Sequence, residues 1–395
     1  MEHKIFNNIN VFYVFNFLYC FRPHWPIAIL YYESVTGSYA SAMMIFSVIF
    51  LSQAILEIPT GLLSDFIGRR KTLLIGAFSG FLALLFYALG MNIWVLVLGA
   101  IFEGLGRSLF SGTAKALLYE TLQEKKRLIE FESIFGKTSS MEQLALGLSA
   151  ALGGFLAIIS LSFVMWVAVI PQFLCFLCTF FFVEPKHFLK NQDNALTVLK
   201  SSFQKIIKNR RLRLVSMAEV LGFGFGEANF YFQAAFFKML IPEWLIGLVR
   251  SINHLCGTIS FWYAGRMIKR FGNKKILIGE NVITTLIRFF ALIFPSMLSP
   301  FVMAITNLTY GLSSTARNTL MQREFSDAQR STMDSFVSLG GSLFFAIVAL
   351  FLGYIADISS PIHAMLVGLS SNIIIIWIYT LMFPTKPHTP RIESL

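Results

Sequence analysis

Twelve apolar runs follow one another along the chain, and each is long enough to cross a bilayer as an α-helix. About 20 apolar residues span a hydrocarbon core in this form, and a helix satisfies its own backbone hydrogen bonds in lipid. With 56% hydrophobic and 13% charged residues, the composition lies outside the soluble range. The sequence predicts an all-α membrane protein with twelve transmembrane helices, called spans 1 to 12, at 9–31, 41–63, 73–91, 93–116, 133–158, 161–183, 213–237, 244–266, 275–294, 299–321, 332–356 and 361–383.

Basic residues lie between alternate spans and predict the orientation of the chain. The turns on the other side hold essentially Lys238 as a base, beside Glu33, Glu243 and Asp357. Because Lys and Arg stay cytoplasmic, we expect a multi-pass protein of the bacterial cytoplasmic (inner) membrane with both termini inside. Span 1 has no cleavage site in the expected place and is predicted to be retained. The net charge of +11 therefore reflects topology, and no nucleic-acid partner is expected.

The chain divides into two repeated halves. The longest hydrophilic interval, 186–212, separates a six-helix bundle at 1–185 from another at 213–395. This basic linker is predicted to be either an amphipathic helix on anionic lipid or a solvated segment. Gly265–Lys275 repeats the pattern of Gly61–Lys71, and Gly353–Ser359 echoes Gly154–Ser160. We expect two pseudo-symmetric bundles with a binding site between them near mid-membrane.

Metal and nucleotide cofactors are not expected. Cys175 and Cys178 form a CxxC inside span 6, where a thiolate would be poorly solvated. They are predicted to be small packing residues. A GxxxxGK[ST] loop for ATP phosphates is absent from the sequence.

The loop between spans 2 and 3 carries the most specific motif. Its pattern is Gly61-x-x-x-Asp65-x-x-Gly68-Arg69-Arg70-Lys71, preceded by Glu57-Ile58-Pro59-Thr60. This loop resembles the signature loop of the major facilitator superfamily of secondary transporters, and the EIPTG run is similar to that of bacterial members. The resemblance implies two six-helix bundles, alternating access and a proton gradient as the energy source, in a transporter that is not an enzyme.

The resemblance also implies a conformational lock at this loop. Asp65 would meet the start of span 11 near Ser331, Thr332 and Asp334, and Arg69 would meet Glu120. Gly61 is expected to allow close helix approach, and Gly68 to allow a tight turn. In the second half, Lys269 takes the aspartate position, and we expect Glu130 or Glu132 to receive it.

Charges inside the spans are the candidate transport residues, because an ionisable group at bilayer depth is costly and faces a cavity or a partner. Glu103 and Arg107 lie four residues apart, hence on one helix face. The resemblance implies that spans 1, 4, 7 and 10 line the cavity. Glu103 and Glu227 are the favoured proton carriers, with a structural ion pair as the alternative, and His254 is a candidate for helix-helix hydrogen bonding. The predicted cavity residues are Arg22, Glu103, Arg107, Glu142, Glu219, Glu227, His254 and Arg317.

The predicted function is proton-coupled efflux of an amphipathic or anionic compound, drug-like or siderophore-like, by a monomer. The pair Gly153-Gly154 resembles the end of the antiporter motif in span 5, although the proline of that motif is missing. Arginines in the lining spans favour carboxylates, because guanidinium binds them in a bidentate manner. Two alternatives remain: proton-coupled uptake of a small organic acid or amino acid, and a membrane scaffold or sensor that transports nothing.

Overall fold

The computed structural model describes residues 2–185, 206–323 and 327–382. Side chains are described except at 2–7, 58, 62, 132 and 321–336. Helices form nearly all of this part of the chain. They are α1 Glu2–Cys20, α2 Ala28–Thr36, α3 Tyr39–Ile67, α4 Arg69–Leu89, α5 Ile93–Glu124, α6 Phe131–Ala157, α7 Leu161–Cys178, α8 Arg210–Lys238, α9 Glu243–Ile293, α10 Ser299–Ile305, α11 Tyr310–Arg323, α12 Asp327–Ile358 and α13 Pro361–Met382.

The helices agree with the predicted spans and confirm an all-α membrane protein. Spans 1 and 10 are each broken into two helices, α1 with α2 and α10 with α11. Spans 8 and 9 both lie in α9, which is interrupted at Gly272. Within the described residues, seven segments are long and apolar enough to cross a membrane. The predicted linker lies mostly outside these residues, since 186–205 are not described.

Local side chains explain where several helices begin. Ser38 accepts a hydrogen bond from Ser41 N at the start of α3, and Asn92 accepts two from the first turn of α5. Ser160 and Asn209 cap α7 and α8 in the same way. Each cap satisfies N–H groups that have no partner within the helix.

The repeated loops have the same backbone conformation. Gly68 has φ 95° and ψ 158°, and Gly272 has φ 76° and ψ 156°. Residues with a Cβ essentially never adopt this region. The two glycines, which occupy matching positions in the sequence repeat, thus share one backbone conformation.

The buried apolar side chains of the described residues form three hydrophobic cores along the length of the molecule. We call the end that carries the Arg69–Lys71 loop the basic end, and the end that carries Gly37, Gly90 and Lys238 the far end. The largest core includes residues of both halves, among them Phe46 and Phe232. At the basic end, one core belongs to the first half alone and another to the second half alone. The halves are thus joined at the far end and have separate cores at the basic end.

One far-end seam joins α3 to α12. The Asp357 carboxylate accepts hydrogen bonds from Tyr39 N at 2.6 Å and from Ala40 N at 3.0 Å. A Cβ on Gly353 would lie 2.6 Å from Ala40 Cα. A glycine is needed at 353 because the two backbones approach so closely.

The other far-end seam joins α6 to the start of α9. Ser251 Oγ donates to Gly147 O at 2.7 Å, and Phe155 stacks on Trp244. A Cβ on Gly154 would lie 2.9 Å from Gly247 Cα. Gly154 and Gly353, which match in the sequence repeat, therefore both allow the backbones of the two halves to approach closely, one in each seam.

Cys175 and Cys178 are free and buried, with each sulfur 3.8 Å from a carbonyl oxygen of α1. Among the described residues, no cluster of His, Cys, Asp or Glu could hold a metal ion.

Candidate functional site

The Arg69 guanidinium is the centre of a charged network at the basic end. Its Nη1 donates to Asp65 Oδ1 at 2.7 Å and to Ser64 Oγ at 2.8 Å. Its Nη2 and Nε donate to Glu120 Oε1 at 3.0 and 3.1 Å. Arg69 and Glu120 are buried, and charge-assisted hydrogen bonds of this kind are the strong ones. The structure brings together Asp65, Arg69 and Glu120, and ties α3 and α5 to the start of α4.

The implied contact between Asp65 and span 11 lies outside the description, because the side chains of 321–336 are not described. Around Gly61, no described atom comes within 4 Å of the position that a Cβ would take. The expected close helix approach at Gly61 is thus not seen among the described atoms.

Glu184 belongs to the same network, and the sequence analysis missed it. Its carboxylate oxygens accept hydrogen bonds from Arg69 N at 2.6 Å and Arg70 N at 2.8 Å. These groups open α4, so the carboxylate caps the helix and faces the positive end of its dipole. A Cβ on Gly68 would lie 2.8 Å from Glu184 Oε1, which adds a steric reason for this glycine. The signal in the sequence was a lone acid directly after an apolar run.

The second loop is partnered differently. Lys269 is exposed and forms no ion pair with a described side chain. Glu130, one of its two predicted partners, instead pairs with Arg127 through both carboxylate oxygens, and this hydrogen bonding lowers the pKa of Glu130. The prediction for Glu130 is wrong because a partner three residues away on the same segment is already in reach. The Glu132 side chain is not described.

Arg22, Glu103 and Arg107 form a closed cluster in the first half. Glu103 Oε1 lies 2.9 Å from Arg22 Nη1 and 2.6 Å from Arg107 Nη2, and the Tyr87 hydroxyl donates to Oε2 at 2.9 Å. Glu103 is only 3% exposed. Arg22 reaches it from the break between α1 and α2. One buried carboxylate therefore holds two guanidinium groups, and Tyr87 is a partner that the sequence analysis did not name.

A separate cavity of about 410 Å³ lies largely within the second half. Trp25 and Gln143 contribute from the first half, and the rest of the wall comes from α8, α9, α11, α13 and the turn at 306–307. The expectation that spans 1, 4, 7 and 10 line the site is wrong for span 4, because none of its residues lies on the wall. Glu280 and Arg288 of span 9 and Asn372 of span 12, which the expectation left out, do lie on it. Polar residues from five helices thus converge on one space.

Four predicted residues lie on this wall: Glu219, Glu227, His254 and Arg317. Arg317 Nε and Glu219 Oε2 form an ion pair at 2.9 Å. Within the described part of the chain, Glu227 and the His254 ring have no hydrogen-bond or ion-pair partner. Glu142 is half-buried on α6 but not on the wall. The Arg22 cluster is likewise separate from it.

Glu280 and Arg288 are charges of the wall that the predicted set omitted, and Arg250 is a buried charge that lines a separate small crevice beside the cavity. Arg250 is 3% exposed, and its guanidinium donates to Gln233 Oε1 at 2.8 Å and to Phe230 O at 2.7 Å. Arg288 Nη2 donates to Thr306 Oγ1 at 3.3 Å. Glu280 and Arg288 were visible as charges within the apolar span 9. They were passed over because the resemblance directs attention to other spans.

Comparison with known proteins finds a match to the family model described as Major Facilitator Superfamily over residues 10–343. An uncharacterized transporter of Buchnera aphidicola subsp. Acyrthosiphon pisum (strain APS) is 29% identical over 40% of this chain and 38% of its own length. The multidrug resistance protein MdtG of Salmonella paratyphi B is 28% identical over 66% of each chain. The matches span less than half the length of the first three curated relatives, at 38%, 47% and 26%.

Solved structures share the fold. The nucleoside transporter NupG superposes with a TM-score of 0.80 at 14% identity, over 96% of this chain and 100% of its own. At that identity the likeness concerns the arrangement of helices alone.

Proposed function

Because this chain belongs to the Major Facilitator Superfamily, a family of membrane transporters, we propose that it exports an amphipathic organic compound across the cytoplasmic membrane in exchange for protons. The observation that carries the proposal is Glu227, a carboxylate on the cavity wall with no ion-pair partner in the described residues. A carboxylate in contact with the cavity can take up and release a proton, which a charge-paired one does less readily.

Alternating access is supported by the way the halves are joined. They share one core at the far end and have separate cores at the basic end. The cavity wall runs from Gln233 toward the basic-end residues Glu219 and Tyr379. With the basic end in the cytoplasm, this is the inward-open state, and export would begin by loading substrate from the cell interior.

The substrate class and direction rest on the cavity and on one relative. A volume of about 410 Å³ lies within the roughly 300–1,000 Å³ typical of sites for drug-sized molecules. Aromatic side chains such as Phe223, Phe230 and Phe261 stand beside polar groups on the wall, which suits an amphipathic molecule. The name of the relative MdtG, a multidrug resistance protein, supports efflux.

Proton coupling is tested with the full chain in proteoliposomes under an imposed pH gradient, with a panel of drug-like compounds. We expect flux to follow the gradient in the parent and to lose this dependence in Glu227→Gln, while exchange without net proton movement continues. Glu33→Gln, which removes a carboxylate at the far-end surface, is the matched control. If the substrate flux of the parent protein is the same with and without the pH gradient, transport is not coupled to protons and the protein is a uniporter.

Direction is tested by metabolite profiling of a deletion strain. An exporter predicts that the substrate accumulates in the cell, whereas accumulation in the medium would indicate uptake of an organic acid or amino acid. No change in any metabolite, together with no flux in proteoliposomes, would favour a scaffold or sensor.

A further inference from the structure

The charged cluster of the first half and the cavity of the second half meet at one side chain, Trp25. Among the described residues, the first half contributes Trp25 and Gln143 to the cavity wall. Arg22, Glu103 and Arg107 do not lie on that wall, so a ligand in the cavity does not touch them. The cluster can therefore influence a ligand only through a side chain that contacts both.

Both guanidinium groups of the cluster contact the Trp25 ring. The guanidinium carbons of Arg22 and Arg107 lie 5.6 and 5.5 Å from its centroid, within the roughly 6 Å over which an indole face attracts a cation. Glu103 Oε1 fixes both groups, at 2.9 Å from Arg22 Nη1 and 2.6 Å from Arg107 Nη2. Two cations that share one buried carboxylate thus hold the indole.

The backbone that carries Trp25 is also held firmly. Trp25 begins a short 3₁₀ helix, Trp25–Ile27, in the break between α1 and α2, and it stands between the buried residues His24 and Pro26. A Cβ on Gly153 would collide with the Pro23 carbonyl, so the break packs closely on α6. Trp25 itself is partly exposed. A side chain placed in this way has little freedom to lose when a ligand binds.

An aromatic side chain of the second half lies close to Trp25. Trp25 and Phe230 both border the main cavity and the small crevice beside it, and Tyr231 lies on the same wall. Aromatic rings attract one another in offset-stacked and edge-to-face arrangements. This part of the wall therefore suits a planar ring that touches both halves.

The arginines that the sequence linked to a carboxylate substrate already have partners. Arg22 and Arg107 are held by Glu103, and Arg317 pairs with Glu219. A guanidinium that is bound by a carboxylate of the protein is not available to a ligand unless that pair breaks. In the cluster, the arginines are placed to support the indole.

We infer that Trp25 is the contact of the first half with the transported molecule and that it stacks on a planar aromatic ring of that molecule. Arg22, Glu103 and Arg107 are positioning residues that hold the indole in place. The inference rests on the proposed transport function and narrows its substrate class to compounds with such a ring. Because nearly all of the remaining wall belongs to the second half, a ligand on Trp25 contacts both halves at once.

The test compares 2-naphthamide with its decahydro analogue, which keeps the amide and the two fused rings but is neither planar nor aromatic. Binding to the purified full-length protein in nanodiscs is measured by equilibrium dialysis. We expect the parent to prefer 2-naphthamide severalfold, Trp25→Phe to keep most of this preference, and Trp25→Leu to lose it. Trp377→Leu, at a 60% exposed position of α13 away from the wall, is the matched control.

Oxidative footprinting with mass spectrometry gives a second measurement, because it resolves Trp25 from the other tryptophans. In the parent, 2-naphthamide should protect Trp25 from oxidation severalfold, while the decahydro analogue should protect it less. This measurement needs no substitution at position 25. It therefore decides the matter even where Trp25→Leu fails to fold.

Arg107→Gln tests the positioning role, because it leaves the pair between Arg22 and Glu103 intact. We expect a severalfold loss of the preference for 2-naphthamide and a changed oxidation rate of Trp25 in the ligand-free protein. Arg107→Lys, which keeps a cation near the indole, should restore part of both. A purely structural role predicts a lower Tm with the preference and the oxidation rate unchanged.

Equal binding of the two amides by the parent, an unchanged preference in Trp25→Leu, or no protection of Trp25 by 2-naphthamide would overturn the contact. An unchanged preference and oxidation rate in Arg107→Gln would overturn the positioning role. Failure of the proposed function has a different outcome, in which 2-naphthamide protects Trp25 but no compound crosses the membrane. Coupled flux that is equal for compounds with and without a planar ring would keep the function and reject the inference.

Discussion

At the scale of single residues, two arginine networks differ in solvent exposure: the one around Arg69 is partly exposed, and the one around Glu103 is buried. Arg69 joins Asp65, which is 33% exposed at its side chain, to the buried Glu120. The Glu103 cluster is closed on all sides, with side-chain exposures of 3–12%. The first network can exchange partners when the basic end moves, whereas the second anchors helices within one half.

Asp65→Asn should lower transport severalfold with little loss of stability, because a partly exposed ion pair contributes about 0–1 kcal/mol. Glu120→Gln should have a similar effect on transport. The measurement is cysteine labelling from the two membrane sides, and the expected result is a shifted accessibility balance. Lys71→Gln, at an exposed position of the same loop, serves as the control. A labelling balance equal to that of the parent in Asp65→Asn would show that this loop is no lock.

Glu103→Gln should be strongly destabilising, by about 3–5 kcal/mol, because it leaves two buried guanidinium groups without their carboxylate. Glu227→Gln should leave the thermal unfolding midpoint nearly unchanged, since no described ion pair is lost. Thermal unfolding in nanodiscs compares the two variants directly. Equal stability of both would refute the assignment of Glu103 as an anchor.

Sequence patterns found the charged residues more reliably than their partners. The spacing of Glu103 and Arg107 predicted one contact correctly, and the loop motif placed Arg69 near Glu120. Tyr87 and Glu184 could not be assigned, because their contacts cross 16 and 115 residues of chain and no motif or helical spacing links them to their partners. The partner of Glu130 was predicted wrongly for a different reason. Arg127, only three residues away, pairs with it, and this short-range contact was overlooked.

At the scale of helices, glycines set how closely the halves approach at the far end. Gly154 meets Gly247, and Gly353 meets Ala40. The sequence echo around Gly154 and Gly353 indicates the internal repeat, and the pair Gly153-Gly154 by itself resembles the end of the antiporter motif. In the structure, a Cβ on Gly153 would collide with the Pro23 carbonyl. Packing alone is therefore sufficient to explain this glycine pair.

Gly154→Val should hold the α6–α9 seam apart and shift the population toward the state that is open at the far end. The added branched side chain has no room beside Gly247, and overpacking of this kind costs about 1–3 kcal/mol. Labelling of a far-end cysteine should rise. Gly136→Ala on the same helix, with open space around it, should behave as the parent does. Unchanged labelling in Gly154→Val would mean that the seam does not open during transport.

At the scale of the whole molecule, twelve apolar runs and one repeat were enough to predict the fold class. They could not reveal which end is closed, because either state buries nearly the same apolar surface within each bundle. They also could not reveal a cavity inside the second half. Its wall draws on polar residues of several spans, such as Asn281 and Asn372, and no motif in the sequence links the polar residues of one span to those of another.

Asp357→Ala should loosen the α3–α12 seam and shift the population toward the state that is open at the far end, because it removes the carboxylate that accepts hydrogen bonds from Tyr39 N and Ala40 N. Hydrogen bonds to an ionised acceptor are the strong ones. Labelling of a far-end cysteine should rise, and labelling from the basic end should fall. Unchanged labelling in Asp357→Ala would contradict the closed far end described above.

Among the described residues, a carboxylate joins the two halves at one of the two far-end seams. Asp357 accepts hydrogen bonds from the first two amides of α3, whereas the matching position in the repeat, directly after α6, is Ile158. We therefore expect the far end to open first at the α6–α9 seam, while the α3–α12 seam stays closed and acts as the hinge. Backbone amides near Gly147 would then exchange with deuterium sooner than those near Gly353. A substrate that leaves through the α6–α9 seam would do so while the α3–α12 seam still holds the two halves together.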